Sequence, residues 1–449
     1  MTTDNKSVRR VKVIGAGLAG CECAYQIAKL GVEVDLYEMK PKKKSPAHSS
    51  DGLCELVCSN SLRSNQLNNA VGLLKEELKR LGSLVMEAAY ATEVPAGSAL
   101  AVNRHEFSRY VTEKIKSTPN ITLYEEEVCE INPDEITVIA TGPLTSDAMA
   151  DAIRNLEGVS QLHFFDAAAP IIDFSTVDLS KAFFASRYGK GNPEDYLNLP
   201  FTKEEYEAFY DALVNAEVAE LHAFDKEAQE KIVVFEGCMP VEVMASRGVD
   251  TLRFGPMKPV GLPLPATGED AYATVQLRRE NKEGTMYNMV GFQTHLTFSE
   301  QKRVFRMIPG LENSEFFRYG VMHRNTYLNS VGFLSETYSV VKYPNLFFAG
   351  QMTGVEGYVE SASSGFVAGV NAARLALGLE PMVFPATTEI GALAHYVSHG
   401  GASKDFQPMN ANFGIIAPLE YKVKGGKVKR NEVYAERSLS VIDKISLEI

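Results

Sequence analysis

The glycine motif at residues 15–20 restricts the fold of this chain more than any other feature of its sequence. An apolar, β-branched run at residues 11–14 leads into the letters GAGLAG, and residues 23–30 have helical composition. A second run, which alternates apolar and acidic residues, ends at Glu38, 23 residues after Gly15. Strand, glycine turn, helix, strand and acidic residue in this order predict a dinucleotide-binding βαβ unit.

Each glycine of this motif has its own physical task. Gly15 permits a tight turn, Gly17 lets the backbone approach a pyrophosphate, and Gly20 allows close packing of the helix on the strand. The helix N-terminus directs unpaired amides at the phosphates, and Glu38 can accept the ribose hydroxyls. An ordinary glycine-rich turn is the alternative. The predicted dinucleotide-binding residues of this unit are Gly15, Ala16, Gly17, Leu18, Ala19, Gly20 and Glu38.

A second glycine-rich segment lies near the other end of the chain. The apolar letters NLFFAG at residues 345–350 lead into a glycine-spaced turn, followed by a predicted helix of small residues at 366–377. The earlier letters VIATG occupy residues 138–142. Both segments resemble those of the glutathione-reductase-like FAD family, which implies FAD rather than NAD, because the chain returns to its dinucleotide so late. The cofactor residues that this resemblance adds are Thr141, Gly142, Gly350, Gln351, Gly354 and Tyr358.

The late return also predicts how the chain is divided into domains. With 449 residues it exceeds one ordinary hydrophobic core. We predict an α/β protein with a discontinuous, Rossmann-like FAD-binding domain of the glutathione-reductase type, formed by residues 1–154 and 330–449. Residues 155–329, which include charged helical patterns such as 203–227, are predicted to form an inserted α+β domain.

Composition narrows the class of protein. Hydrophobic residues make up 45% and charged residues 23% of the chain, and no apolar run approaches the roughly 20 residues of a membrane span. The N-terminus lacks the pattern of an export signal, so we interpret the protein as cytoplasmic.

The net charge of −12 disfavours general binding of polyanions but leaves room for local basic patches. Two clusters qualify, either as solvated loops or as phosphate contacts: Lys40, Lys42, Lys43 and Lys44, and Lys422, Lys424, Lys427, Lys429 and Arg430.

Two cysteines lie in strings that make a family resemblance specific. Cys58 lies in ELVCSNSLR and Cys238 in FEGCMPVE, and VPAG at 94–97 and GFQTHL at 291–296 accompany them. With residues 349–361, these strings resemble the folate- and FAD-dependent tRNA uracil-5-methyltransferases, the TrmFO family, from about residue 11 to about residue 418. The related MnmG flavoproteins, also called GidA, share the FAD scaffold but have a longer chain and different cysteine motifs.

The resemblance implies a reaction. The methylene of 5,10-methylenetetrahydrofolate is transferred through the flavin to C5 of a uridine, in the T-loop of tRNA, and NAD(P)H resupplies the electrons. Uracil C5 becomes nucleophilic when a thiolate adds to C6, and a base must later remove the C5 proton. The family pattern implies Cys238 as the C6 nucleophile and Cys58 as the acid/base partner, although the residues leave the division of roles open. Tyr358 is implied to pack against the flavin ring.

Other interpretations of the chain stay open at this point. The same chemistry can act on ribosomal RNA, and the chain can also be a flavin-dependent NAD(P)H oxidoreductase of a small molecule or thiol, or a noncatalytic RNA-binding flavoprotein. Free thiols are expected rather than a disulfide framework, although Cys54 and Cys58 are spaced for an off-pathway disulfide. The thiols expected to be structural are Cys21, Cys23 and Cys129, and the histidines expected to be structural are His48, His105, His295 and His323. No metal is predicted, because no cluster of His and Cys is evident.

Overall fold

A computed structural model describes residues 10–45, 47–156, 161–167, 169–189, 192–219, 239–281, 283–320, 322–400 and 406–449. Cys238, the predicted nucleophile, lies outside the described residues. The strands of the described part are β1 (Arg10–Ile14), β2 (Glu33–Tyr37), β3 (Ser61–Ser64), β4 (Glu93–Val94), β5 (Ala99–Val102), β6 (Ile121–Tyr124), β7 (Thr137–Ile139), β8 (Gln161–Ala167), β9 (Ile171–Asp173), β10 (Phe183–Phe184), β11 (Tyr196–Phe201), β12 (Ala273–Arg279), β13 (Met286–Met289), β14 (Phe316–Arg318), β15 (Met322–Leu328) and β16 (Leu346–Phe348).

Helices alternate with the early strands and dominate the C-terminal part. The α-helices of the described residues are α1 (Leu18–Lys29), α2 (Ala70–Leu81), α3 (Leu84–Ala91), α4 (Arg104–Ser117), α5 (Asp147–Arg154), α6 (Lys203–Val214), α7 (Val241–Ala245), α8 (Thr251–Phe254), α9 (Phe298–Phe305), α10 (Tyr358–Leu377), α11 (Glu389–His399) and α12 (Gly426–Ile445). In this part of the chain no helix combines the length and the apolar character needed to cross a membrane.

A parallel sheet carries the N-terminal motif. Its order is β16, β7, β1, β2 and β6, and every pair within it is parallel. β1 and β7 are buried along most of their length, as expected for a sheet covered by helices on both faces. β16 pairs with β7, so the late segment returns to the sheet that the first strand begins. The predicted Rossmann-type α/β fold is confirmed.

The small residues of α10 allow it to approach α1 closely. A Cβ added at Gly365 would lie 2.2 Å from the carbonyl oxygen of Ala19, and one added at Gly369 would lie 2.7 Å from that of Cys23. Only glycine fits at such backbone contacts, so these residues fix the distance between the two helices. The helix is longer than the predicted 366–377, because it begins at Tyr358, immediately after Gly357.

A second sheet is built from the middle of the chain. Its order is β10, β11, β12, β13, β9 and β14, and all of its pairings are antiparallel. Helices α6, α7 and α9 contribute to its hydrophobic core, which is separate from that of the parallel sheet. β8 and β15 pair with each other in a two-stranded antiparallel ribbon. The predicted charged helix ends at Val214 rather than continuing to residue 219, and residues 220–227 lie outside the described part. The proposed domain boundaries at 154 and 330 stay a prediction.

Candidate functional site

A cavity opens at the carboxyl end of the parallel sheet, where β1, β7 and β16 end. Ligands of open α/β sheets bind at this edge, because the loops that leave the strands converge there. Most of the residues predicted to bind the cofactor line this cavity. They are Gly15, Ala16, Gly17, Leu18, Ala19, Glu38, Thr141, Gly142, Gly350, Gln351 and Tyr358.

The loop of residues 15–20, which we call the glycine cradle, needs its glycines for different reasons. Gly15 has a φ of +96°, and a Cβ there would lie 2.6 Å from the carbonyl oxygen of Ala140. A Cβ at Gly20 would lie 1.8 Å from the carbonyl oxygen of Gly15, so this residue closes the helix onto the loop. A Cβ at Gly17 would meet no atom within 4 Å, because this residue borders the cavity. The cradle is therefore closed on the protein side and open on the ligand side.

The first turn of α1 presents its amides to this open side. Gly17 is the N-cap, and within the described residues its position has no side-chain cap. The unpaired amides of a helix N-terminus and the positive end of its dipole together form an anion site. A pyrophosphate suits this position.

Glu38 is buried at the end of β2 and is held by the backbone. Its Oε2 accepts from the amide of Ala16 at 2.9 Å, and its Oε1 accepts from the amide of Lys40 at 3.1 Å. A carboxylate has about four acceptor positions, so both oxygens retain capacity for ribose hydroxyls. The Ala16 contact also ties the acid to the glycine cradle, which fixes its direction before any ligand arrives.

Two predicted cofactor residues lie outside the cavity wall. Gly20 acts through packing, as described above. Gly354 has a φ of +90°, and a Cβ there would lie 2.3 Å from the ring of Phe406. The observed reason for glycine at this position is therefore the left-handed turn and the aromatic ring behind it. A direct contact of Gly354 with the cofactor stays a prediction.

Cys58 lies in a loop, residues 57–60, that we call the cysteine loop. The amides of Cys58 and Ser59 both donate to the hydroxyl oxygen of Tyr358, at 2.8 and 3.1 Å. Tyr358 and Val57 line the cavity, whereas Cys58 is partly exposed beside them. Burial raises the pKa of Tyr358, so the hydroxyl stays neutral. Tyr358, the first residue of α10, thus connects the cavity to the cysteine loop.

Arginines surround this loop on the side of the second sheet. The Arg318 guanidinium donates to the carbonyl oxygen of Val57 at 2.5 Å, and Arg104 donates to that of Leu56 at 3.1 Å. Arg104 is also paired with the buried Glu280 at 2.8 Å. Burial lowers the pKa of Arg318, and the neighbouring Arg104 lowers it further. These positive charges favour an anion at the loop.

The second sheet also anchors the end of the cysteine loop. Arg278 in β12 donates to the side chains of Ser59 and Asn60, each at 2.9 Å. The Asn60 amide donates to the carbonyl oxygens of Val102 at 3.1 Å and Arg279 at 3.0 Å. The loop is therefore held by β12 of the antiparallel sheet on one side and by β5, which forms a small three-stranded sheet with β3 and β4, on the other.

A buried lysine supports the strand that follows the loop. Lys75 of α2 donates from Nζ to the carbonyl oxygens of Leu62 at 2.7 Å and Ser64 at 2.6 Å. Burial and the nearby Arg63 lower the pKa of Lys75 to about 7. Lys75 therefore connects α2 to β3.

The residues after Cys238 pack against another string of the family resemblance. Val241 donates its amide to the carbonyl oxygen of Gln293 at 2.7 Å. The buried Glu242 accepts from the hydroxyl of Thr294 at 2.9 Å and from the amide of His295 at 2.7 Å. Burial lowers the pKa of His295, which favours its neutral form. The strings GCMPVE and GFQTHL are thus neighbours in space at their described residues.

The other described cysteines are free thiols with different surroundings. Cys21 and Cys23 are fully buried in α1, and burial raises the pKa of both. Cys54 is also fully buried, has a φ of +56° and donates its amide to the carbonyl oxygen of Ala16. Cys54 and Cys58 are not joined in a disulfide. Cys129, which we also expected to be structural, is instead exposed and lies outside any strand.

Sequence reasoning missed the arginines of the site. Arg318 lies 261 residues after Val57, and Arg104 lies 48 residues after Leu56. Neither arginine belongs to a recognisable local motif: Arg104 begins α4 and Arg318 ends β14, and only the tertiary fold brings them to the loop. The strand that carries Arg278 could have been predicted, but its position beside Ser59 could not.

Comparison with known proteins gives consistent results. The family model described as "Glucose inhibited division protein A" matches residues 10–380. A methylenetetrahydrofolate–tRNA-(uracil-5-)-methyltransferase TrmFO from Acetivibrio thermocellus is 61% identical over 432 residues, which are 96% of this chain and 97% of that protein. The protein of the same name from Listeria monocytogenes serotype 4b is 57% identical over 441 residues, 98% of this chain and 100% of that protein.

A solved structure supports the same fold. The structure of GidA from Aquifex aeolicus in its form II crystal superposes with a TM-score of 0.68 and 18% sequence identity, and the match covers 98% of this chain and 73% of that one. At this identity the likeness shows the fold of the chain and no detail of the site.

Proposed function

The chain belongs to the glucose inhibited division protein A family and, within it, to the methylenetetrahydrofolate–tRNA-(uracil-5-)-methyltransferases named TrmFO, and from this premise we propose that it methylates C5 of a uridine in the T-loop of tRNA. The proposed one-carbon donor is 5,10-methylenetetrahydrofolate, with FAD as cofactor and NAD(P)H as the source of electrons. The single observation that carries the proposal is the connection of Cys58 to the dinucleotide cavity through Tyr358.

The cavity fits FAD by the chemistry of its donors. The amides of the first turn of α1 suit the pyrophosphate, and Glu38 suits the ribose. The open space at Gly17 would admit a phosphate against the backbone. When bound and reduced by NAD(P)H, FAD supplies the two electrons that convert a transferred methylene into a methyl group.

Cys238 is the proposed nucleophile at uracil C6, and Cys58 the proposed acid/base group. Addition of the Cys238 thiolate to C6 makes C5 electron-rich, so C5 bonds to the methylene carbon, and Cys58 then removes the C5 proton. The bond between the methylene and its carrier nitrogen breaks, the carrier leaves as the amine, and a hydride added to the methylene expels the Cys238 thiolate from C6 and leaves the methyl group. The guanidinium groups of Arg318 and Arg104 place positive charge near Cys58, the group proposed to accept that proton. Their contacts with Val57 and Leu56 hold these charges at the cysteine loop.

The substrate RNA needs positive charge on this acidic protein, and the start of α12 supplies it. Lys422, Lys424, Lys427 and Arg430 are all exposed there. Asn431 of the same helix donates to the carbonyl oxygen of Asn68 at 3.0 Å, a few residues after β3 and the cysteine loop. We propose that this basic segment, residues 422–430, contacts RNA phosphates while the uridine is extruded toward Cys58.

The test is transfer of label from [methylene-¹⁴C]methylenetetrahydrofolate, with FAD and NAD(P)H, into unmodified tRNA and into ribosomal RNA. Wild type is compared with Cys238→Ala and Cys58→Ala, and Cys129→Ala is the matched control, because Cys129 is an exposed free thiol. We expect labelled 5-methyluridine in the tRNA T-loop, its loss in the first two variants, and normal transfer in the control.

Three other outcomes would redirect the proposal. Label in ribosomal RNA alone would retain the chemistry and change the substrate. Oxidation of NAD(P)H without label in either RNA would favour an oxidoreductase of a small molecule or thiol. RNA binding that survives both cysteine substitutions, without product from wild type, would indicate a noncatalytic RNA-binding flavoprotein.

A further inference from the structure

A cluster of metal-ligating side chains lies apart from the cavity, where α11 meets the segment before β16. His395 and His399 are four residues apart on α11, so they extend from the same face of the helix. Their rings stack at 4.7 Å between centroids with 20° between planes. Glu336 faces both rings, and the potential ligand atoms of the three residues all lie within 4.8 Å of one another.

The two distances from Glu336 to the imidazoles lie below and above the distance between two ligand atoms of a tetrahedral metal site. Oε1 of Glu336 lies 2.6 Å from Nδ1 of His395 and 3.9 Å from Nδ1 of His399. Zinc binds nitrogen and oxygen ligands at about 2.0–2.2 Å, so two ligands of one tetrahedral ion lie about 3.4 Å apart. Shifts of less than about 1 Å in exposed side chains would therefore bring these two contacts to the required geometry.

Glu336 is held in place by its own segment. The hydroxyl of Ser335 lies 2.8 Å from those of both Thr337 and Ser339, which fixes the turn that carries the carboxylate. The amide of Gly332 donates to the carbonyl oxygen of Ser398 at 3.2 Å, which joins this segment to α11 beside His399. The carboxylate therefore comes from the segment before β16 and the imidazoles from α11, and a backbone hydrogen bond already joins these two elements.

We propose that Glu336, His395 and His399 bind one divalent transition-metal ion, with water in the remaining coordination position. Two imidazoles and one carboxylate suit Zn²⁺ and its neighbours in the first transition series better than Ca²⁺ or Mg²⁺, which prefer oxygen ligands alone. None of the three residues lines the dinucleotide cavity, so the ion would tie α11 to the segment before β16 rather than take part in methyl transfer.

The test is titration of the full-length, chelator-treated protein with ZnCl₂, followed by calorimetry and by thermal melting. Wild type is compared with His395→Ala, His399→Ala and Glu336→Gln. His105→Ala, which removes another exposed histidine, is the matched control. We expect one binding step to weaken at least tenfold in each of the three variants and to persist in the control. Zn²⁺ should raise the melting temperature of wild type and of the control more than that of the variants.

An unchanged binding isotherm in both histidine variants would overturn the proposal, and the cluster would then be an ion pair only. The melting temperatures without metal show whether each variant is folded. Zinc that binds to thiols elsewhere in the chain would appear equally in wild type and in all variants. It would therefore not imitate the expected result.

Discussion

The glycine cradle and the cysteine loop lie beside the same cavity, but opposite kinds of contact hold them. The cradle is backbone against backbone: Gly15 and Gly20 fit because they have no side chain, and the nearest atoms are carbonyl oxygens. The cysteine loop is held by side chains from elements distant in sequence: Tyr358 and Arg318 bond to its backbone, and Arg278 bonds to the side chain of Ser59. The glycine cradle therefore depends on residues that have no side chain, whereas the cysteine loop depends on side chains that distant residues supply.

This difference predicts two patterns of failure. Any added atom on the protein side of the cradle meets backbone that cannot move without disturbing β1 or α1. In the cysteine loop, loss of a single side chain leaves the loop in place but removes a donor or an acceptor. Substitutions in the cradle should therefore act mainly on folding and cofactor content, whereas those around the loop should act mainly on the position of Cys58.

The largest effect is expected for Gly20→Ala. Its Cβ would lie 1.8 Å from the carbonyl oxygen of Gly15, so α1 and the cradle must separate. We expect a loss of about 3 kcal/mol or more in the free energy of unfolding, as for severe overpacking, together with loss of bound FAD. Urea unfolding and the flavin absorbance of the purified protein measure the two effects.

Gly17→Ala is the matched control for this prediction. A Cβ at Gly17 meets no protein atom within 4 Å, so the free energy of unfolding of the FAD-free protein should fall by no more than about 1 kcal/mol, the cost of alanine at a helix N-cap. FAD affinity should nevertheless fall, because the added methyl group points into the space reserved for phosphate. Equal stability of the two variants would contradict the distinction between the closed and the open side of the cradle.

The next effect concerns Tyr358→Phe, which tests the connection between cavity and loop. The substitution leaves the amides of Cys58 and Ser59 without their acceptor, which costs about 1–3 kcal/mol for each buried group that finds no water. Methyl transfer should fall at least about tenfold, since each 1.36 kcal/mol of lost transition-state stabilisation reduces the rate by that factor. Single-turnover methyl transfer and FAD content are the measurements.

Because the phenyl ring remains, FAD content should stay near that of wild type. Tyr110→Phe serves as the control, because its hydroxyl bonds to Glu87 at an exposed position. If Tyr358→Phe lost FAD and kept the normal rate per bound flavin, the tyrosine would serve the cofactor and not the cysteine loop.

The same contrast explains which parts of the molecule could be predicted from sequence. The glycine cradle and Glu38 are joined over 22 residues by a contact between Ala16 and the carboxylate, so a local motif contains the whole unit. β16 could be assigned to the same sheet because its letters resemble a known FAD segment. Arg318 could not be assigned, because its contact spans 261 residues and depends on how the antiparallel sheet meets the cysteine loop. His395 and His399 show the helical spacing in sequence, but their partner Glu336 lies 59 residues before His395.

A smaller effect is expected for Lys75→Met, which removes support for β3 behind the cysteine loop. The carbonyl oxygens of Leu62 and Ser64 lose their donor, at a cost of about 1–3 kcal/mol in the free energy of unfolding. The pKa of Lys75 is lowered from 10.5 to about 7 in the folded protein. Between these values the unfolded chain binds more protons, so the stability of wild type should rise with pH across this window.

In Lys75→Met that contribution to the pH dependence should disappear. Urea unfolding of wild type and variant at several pH values between 7 and 10.5 separates the two effects, since the lost hydrogen bonds act at every pH. Parallel pH profiles for the two proteins would show that Lys75 keeps its proton when buried and that the carbonyl oxygens of Leu62, Arg63 and Ser64 hold an ammonium ion.

The smallest effect on stability is expected at the basic segment, which has neither kind of contact. Lys424 and Lys427 are exposed, so the double substitution to Gln should change the free energy of unfolding by less than about 0.5 kcal/mol. If both lysines contact RNA phosphates, tRNA binding should weaken, and the slope of log K against log salt should become shallower by about 1.4–1.8, at about 0.7–0.9 per phosphate contact. Binding at several salt concentrations measures this slope, with Lys203→Gln in α6 and Lys302→Gln in α9 together as a control of equal charge. A slope unchanged in the first pair, or reduced equally in both pairs, would place the RNA on another surface and leave the cysteine loop without the neighbouring phosphate contacts that we propose.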